Sequence, residues 1–201
     1  LSSNFVFAAV PLFVFMGAML EKSGIADRLF EAIHIWTRRL PGGLALATVL
    51  MCIIFAASSG VIGATESVVG LLTIPVMLRY GYSKGLISGT ICAGGSLGTI
   101  IPPSVVVIVM GPLADLSVGD LMYGMVFPGL LMGALYLVYI LVLCIVSPRM
   151  GPRIPPDPND PPFARKLWIT STNLIPPVFM IFAVLGSILL GWASPTEAAA
   201  I

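Results

Sequence analysis

Apolar residues fall in five long runs, 5–20, 44–78, 86–110, 121–146 and 167–192, and polar residues gather between the runs instead of alternating within them. Runs of this kind read as membrane helices, for which about 20 apolar residues make one crossing. The first run holds sixteen residues and carries Pro11, so it predicts a short span with a kink. Residues 23–40 follow a different pattern. Ile25, Leu29, Ile33, Trp36 and Leu40 recur at helical spacing while Asp27, Arg28, Glu31 and Arg38 take the other faces, which predicts an amphipathic helix lying flat in the membrane interface.

Two of the long runs are interrupted. Within 86–110, the stretch 93–104 reads Ala-Gly-Gly-Ser-Leu-Gly-Thr-Ile-Ile-Pro-Pro-Ser, and its three glycines with Pro102 and Pro103 predict a helix broken at membrane depth. Such a break persists only where the freed carbonyls line a cavity or a bound ion. Within 44–78 the interruption is polar: Ser58-Ser59-Gly60-Val61-Ile62-Gly63-Ala64-Thr65-Glu66-Ser67.

Composition turns these runs into a class. Hydrophobic residues make up 58% of the 201 and charged residues 9%, and the mean hydropathy is +1.04. These values predict an all-α polytopic membrane protein and exclude a soluble domain. The basic residues form three short clusters between apolar segments instead of one face, which excludes a nucleic-acid partner. Cys52, Cys92 and Cys144 lie inside apolar segments without Cys-x-x-Cys spacing, so they read as packing residues, with no disulfide framework or zinc site.

Charge placement sets the topology. Lys22, Arg28, Arg38 and Arg39 form one cluster, Arg79 and Lys84 a second, and Arg149, Arg153, Arg165 and Lys166 a third; the positive-inside rule puts all three in the cytoplasm. Two crossings between Arg39 and Arg79 need about 40 residues and a turn. Residues 42–78 number 37, so a re-entrant hairpin with its tip at 58–67 fits better than two short spans. The broken run then crosses outward to a loop holding Asp115 and Asp120, and 121–146 crosses back. Residues 147–162 contain seven prolines, which predicts an extended cytoplasmic connector over 148–166 separating residues 1–147 from 167–201. The last run carries Pro176 and Pro177 and ends in Ser194-Pro195-Thr196-Glu197, the pattern of a capping box. The chain opens on Leu1 and stops at Ile201 as that helix begins, which reads as a fragment.

Gly94-Gly95-Ser96-Leu97-Gly98 matches the hydrolase pattern Gly-x-Ser-x-Gly, which requires a preceding strand, a following helix, and His and Asp partners. Its flanks here are membrane helix, and His34, the single histidine, falls in the interfacial segment. An intramembrane serine hydrolase is therefore a distant reading, and the chain is not expected to be an enzyme. A transport reading uses the same residues as helix ends brought to mid-membrane, where C-terminal carbonyls hold a hard cation and N-terminal N–H groups hold an anion. Sodium suits such oxygen-only ligation, and a proton remains an alternative. Glu66 is the one acid deep in a membrane segment and is read either as an ion or proton site or as a residue in a hydrated hairpin mouth.

Ile25 to Phe30, Leu40-Pro41-Gly42-Gly43-Leu44-Ala45, residues 93–104 and Ser194 to Ala200, in this order and nearly end to end, resemble the large membrane subunit of TRAP (tripartite ATP-independent periplasmic) transporters. Residues 89–93 and the Gly-Tyr-Ser-Lys turn at 81–84 are most similar to the branch labelled mannitol/chloroaromatic. The resemblance implies an elevator-type ion-transporter fold of two inverted repeats, each with a re-entrant hairpin and a discontinuous helix. It implies a symporter of the bacterial or archaeal inner membrane that takes up an organic acid anion with sodium as coupling ion and no other cofactor. Its partners would be a small membrane subunit and a periplasmic substrate-binding protein; a related carrier needing no binding protein is the alternative. Carried over to this chain, the resemblance places sodium at Ser58, Ser59, Gly60, Gly95, Gly98, Thr99 and Pro102, and substrate near Thr65 and Ser96. Glu66 departs from the small or hydroxyl residue expected at its position.

Overall fold

The computed structural model describes residues 9–60, 62–154 and 162–198. Their regular structure is helical, without a strand among the described residues: α1 (Ala9–Lys22), α2 (Ile25–Thr37), α3 (Gly43–Ser59), α4 (Ile62–Arg79), α5 (Lys84–Ile100), α6 (Val105–Leu113), α7 (Val118–Val146), α8 (Phe163–Ile181), a π-helical turn (Phe182–Gly186), α9 (Ser187–Leu189) and α10 (Pro195–Ala198). Three segments, Lys84–Leu113, Val118–Val146 and Ala164–Gly186, are long and apolar enough to cross a membrane.

The fold is built around α3. This helix is apolar on all sides, and it touches α1, α2, α4, α5, α7 and α8. Leu44, Val49, Met51, Cys52 and Phe55 are buried along it. Thr48, which is also buried, keeps its hydroxyl satisfied by donating to the Leu44 carbonyl at 2.8 Å, one helical turn back. By contrast α7 carries Tyr123, Phe127, Leu130, Leu135, Val138 and Tyr139 exposed, and α8 carries Trp168, Ile175 and Phe179 exposed. An outer surface of large apolar side chains around a helical core is what lipid, rather than water, tolerates.

Polar contacts tie one end of the molecule together. The N–H of Gly42, before α3, donates to the Gly151 carbonyl at 3.1 Å, and the N–H of Ser83, before α5, donates to the Met150 carbonyl at 3.0 Å. The first turn of α3 lacks a side-chain cap of its own, and Tyr82 supplies the acceptor: the Leu44 N–H donates to its hydroxyl at 3.2 Å. Gly42, at φ 69°, has no room for a side chain, since a Cβ there would overlap the Cys144 sulfur of α7. The starts of α3 and α5, the end of α4 and the end of α7 therefore lie at one level.

Helix lengths then fix where the other ends fall. At 1.5 Å per residue, α3 and α5 each extend roughly 25 Å from that level, whereas α7 extends roughly 43 Å. The turn at Gly60 and the end of α5 are thus level with each other and well short of the far end of α7. α6 covers the remaining distance, adding roughly 13 Å, and a Cβ at Gly111 near its end would lie 2.5 Å from Val118 Cγ2 at the start of α7.

Several expectations shift in detail. Residues 23–40 contain one helix, α2, shortened at both ends by Gly24 at φ 70° and by the turn before Pro41. The broken helix breaks only at residues 101–104, because Gly94, Gly95 and Gly98 continue α5, and the proline pair alone interrupts it. Residues 163–166 of the predicted connector form the first turn of α8, with Pro162 before it at φ −59°; residues 155–161, like 1–8, lie outside the described residues. The capping box forms as expected, with the Ser194 N–H donating to Glu197 Oε2 at 2.8 Å and the Glu197 N–H to Ser194 Oγ at 3.4 Å.

Candidate functional site

The hairpin and the break meet. α3 ends at Gly60, whose φ of 63° and ψ of 12° lie in the left-handed region, and whose N–H donates to the Ala56 carbonyl at 3.0 Å. A side chain at Gly60 would overlap the Pro103 carbonyl oxygen, with the carbonyl carbon 3.2 Å and Ser104 Cα 3.8 Å from its Cβ. Glycine is therefore required twice at this position, for its backbone angle and for the backbone it faces. Within the expected tip over 58–67, the described turn residue is Gly60: Ser58 and Ser59 close α3, and Thr65 and Glu66 belong to the beginning of α4.

At the break, Ile101 and Ser104 are extended and the Pro102–Pro103 peptide is cis. Proline has no N–H. The carbonyls of Gly98 and Thr99 therefore lose the donors that residues 102 and 103 would give in a continuing helix. Four helix ends now converge: the C-termini of α3 and α5, rich in free carbonyls, and the N-termini of α4 and α6, rich in free N–H groups. Ser104 sits among them, 1% exposed, and its hydroxyl has no hydrogen-bond partner. A buried, unsatisfied oxygen beside freed carbonyls is the chemistry of a cation ligand.

The other expected residues divide into groups. The Ser58 hydroxyl donates to the carbonyls of Ile54 and Phe55 at 3.1 and 2.9 Å, and the Thr99 hydroxyl to the Ser96 carbonyl at 2.8 Å. A hydroxyl whose proton is committed to its own helix presents only lone pairs outward, which suits a cation. Thr65 is fully buried. Glu66 lies over Gly95, where an added Cβ would overlap its Cγ and carboxylate, and Cys52 lies over Gly94 in the same way, with its Cβ 2.9 Å from where one would stand. The glycine pair of α5 is thus a slot that receives α3 and α4, and Glu66 is partly buried in it. Ser96 turns elsewhere: it donates to the Ala93 carbonyl at 2.7 Å and stands 3.4 Å from the Tyr136 hydroxyl of α7. Ser104 and Tyr136 escaped the sequence reading; for Ser104 the signal was a hydroxyl residue directly after the proline pair.

α7 supports the break from behind. A Cβ at Gly129 would lie 3.1 Å from the Ile100 carbonyl oxygen, and one at Gly133 would lie 2.9 Å from Ile53 Cδ1. These contacts account for Gly129 and Gly133 as close-packing positions, whereas a Cβ at Gly124 would meet nothing within 4 Å.

The hydrolase pattern has no elbow. Residues 94–98 lie inside α5, the Ser96 hydroxyl is occupied as described, and His34 stacks on Phe30 within α2, centroids 5.8 Å apart. Burial, and after it the Arg38 guanidinium, hold His34 below its usual pKa.

The sequence model of the family described as "Tripartite ATP-independent periplasmic transporter, DctM component" matches residues 2–201. The chain belongs to that family. It is 36% identical over 201 residues to the "C4-dicarboxylate TRAP transporter large permease protein DctM" of Pseudomonas aeruginosa, covering all of this chain and 45% of the relative. It is 37% identical over 198 residues to the "Isethionate TRAP transporter permease protein DctMQ" of Oleidesulfovibrio alaskensis, covering 98% of this chain and 30% of the relative. The "2,3-diketo-L-gulonate TRAP transporter large permease protein YiaN" of Escherichia coli is 28% identical over 200 residues, again 45% of its length. This DctM-family chain thus spans less than half the length of these relatives, which are transporter permease components and not enzymes.

Proposed function

We propose that this chain forms one ion and substrate half-site of a TRAP large permease subunit that takes up a small organic acid anion by symport with sodium. The observation that carries the proposal is the contact of Gly60 with the Pro103 carbonyl, which gathers four helix termini around the buried Ser104 hydroxyl. Sodium is held by the carbonyls of Gly98 and Thr99 and by oxygens at Ser58, Ser59, Gly60 and Ser104. The N-termini of α4 and α6 face the substrate anion, with Thr65 beside them. Gly95 and Pro102 shape the site, the first by admitting Glu66 and the second by removing an N–H. Glu66 adds negative charge on the cation side and serves as an ion or proton ligand.

In this reading the hairpin of α3 and α4 is re-entrant, because its tip stops level with the break while α6 completes the crossing. The site moves across the inner membrane as a unit in an elevator motion, a small membrane subunit completes the complex, and a periplasmic binding protein delivers the substrate. Names among the relatives, a C4-dicarboxylate and a sugar acid, support an organic acid anion as substrate class.

The test is uptake by the full-length complex in proteoliposomes, with and without an inward sodium gradient and with organic-acid binding proteins supplied outside. Uptake should require both. Uptake undiminished without sodium would refute the coupling.

A further inference from the structure

Basic residues far apart in sequence gather where α2 meets α8. Arg38 and Arg39 follow directly on α2, and the first turn of α8 carries Arg165 and Lys166. The Trp36 indole N–H donates to the Thr170 hydroxyl at 2.8 Å, which fixes the last turn of α2 against the second turn of α8. Lys166 thereby comes within electrostatic reach of Arg39 and Arg38. Arg39 and Arg165 are exposed. The crossing that α8 forms starts at Ala164, so these cations stand at the membrane boundary, where lipid phosphates lie.

This placement is unfavourable for α8 by itself. Its first turn holds no acidic residue and no side-chain cap, so two cations surround the positive end of the helix dipole. Acids of the neighbouring sequence are too few to neutralise the patch. Residues 147–162 contribute Asp157 and Asp160 but also Arg149 and Arg153, which with Arg38, Arg39, Arg165 and Lys166 makes six basic residues against two acids. A positive surplus remains even with both acids paired. Large apolar side chains flank the cations on the same two segments: Trp36, Leu40, Leu167 and Trp168 are all exposed. A phosphate set against the cations and the free N–H groups of α8, with hydrocarbon over the indoles and leucines, satisfies both parts of this surface. A soluble acidic partner would match the charges and leave the apolar rim uncovered.

We infer that the junction of α2 and α8 binds the phosphate headgroup of an anionic phospholipid from the cytoplasmic leaflet, with Arg39 and Arg165 as its outer contacts and the α8 N-terminus behind them. The inference does not rest on the coupling ion or on the transported substrate.

The test uses the full-length complex, stripped of endogenous lipid in a neutral detergent and melted with dioleoylphosphatidylglycerol, with dioleoylphosphatidylcholine or with glycerol phosphate at matched concentration. Phosphatidylglycerol should raise the apparent Tm of the wild type by several degrees beyond the rise with phosphatidylcholine, and glycerol phosphate should not raise it. Arg39→Gln/Arg165→Gln, at two exposed positions, should lose most of that difference. Lys22→Gln/Arg28→Gln removes the same charge from exposed positions before α2 and in its first turn, and should keep it. An equal loss in both double variants would mean general attraction to cytoplasmic basic residues. A difference unchanged in Arg39→Gln/Arg165→Gln would mean that another part of the carrier covers the patch, and a rise with glycerol phosphate would assign it to a soluble anion. Each of these three results would overturn the inference.

Discussion

Replacing Gly60 with alanine tests the junction on which the site depends. The methyl group costs on two counts. At φ 63° an L-residue loses about 1–2 kcal/mol relative to glycine. Its Cβ must also displace the Pro103 carbonyl, which is backbone and cannot swing aside as a side chain would; overpacking of this kind costs about 1–3 kcal/mol. The smaller entropy of the unfolded alanine chain returns about 0.4–1 kcal/mol, leaving a net loss of roughly 1–4.5 kcal/mol. Gly63→Ala is the internal control. Gly63 is exposed inside α4 with nothing within 4 Å of its Cβ position, so alanine there should stabilise by about 0.5–1 kcal/mol. Both variants of the full-length complex would be melted in nanodiscs and assayed for uptake across a sodium titration. Gly60→Ala should melt lower than wild type and need more sodium for half-maximal uptake, while Gly63→Ala should match or exceed wild type in stability. Equal stability of the two variants, with unaltered sodium dependence, would show that tip and break are not in contact.

Other expectations follow from single contacts. Ser104→Ala removes a buried hydroxyl that has no protein partner, so protein stability should hold or rise while the sodium concentration for half-maximal uptake rises several-fold; an unchanged titration would exclude Ser104 as a ligand. Gly95→Ala forces Glu66 out of its slot and should lower uptake, and adding Glu66→Ala should restore stability; absence of coupling in this double-mutant cycle would contradict the packing. Glu66→Gln keeps the shape and removes the charge, and sodium or proton dependence that stays as in wild type would confine Glu66 to packing. Because the fold lowers the His34 pKa, the neutral ring is favoured in the folded state. Its stabilising contribution is complete above about pH 6.5, the unfolded value, and declines as pH falls toward the lower folded value. Melting curves between about pH 5 and 7.5 should show an acid-side loss that is smaller in His34→Gln, with uptake at neutral pH intact.

What the sequence disclosed about this fold depended on which signals are local. The proline pair at 102–103 removes two consecutive N–H groups, and the break fell there, whereas the second pair, Pro176 and Pro177, lies inside α8 without ending it. The glycines at 94, 95 and 98 carry no such defect. Their cost is entropic and modest, so packing decided the outcome, and they served as seats for Cys52 and Glu66. Spacing and charge made 42–78 a hairpin, but the polar stretch 58–67 overstated its turn, since Ser58 is kept helical by bonding back to its own carbonyls. Tyr82 capping α3 and Tyr136 reaching Ser96 join positions 38 and 40 residues apart, and only the folded arrangement brings such pairs together. The capping box at Ser194 and Glu197 lies at the opposite extreme, since all of its partners sit within three residues.

The ties at Gly42, Leu44 and Ser83 give the hairpin the mechanics of a cantilever. Both limbs are clamped at the level where α7 ends, and the end of the hairpin turned toward the break is the turn at Gly60. The limbs are also seated on Gly94 and Gly95 through Cys52 and Glu66, so the end farthest from the clamp is the turn at Gly60. Parting Gly60 from Pro103 would open a gap among the four helix termini while leaving the ties at the clamped end intact. Access to the junction through the hairpin would then come from one end, the end away from those ties.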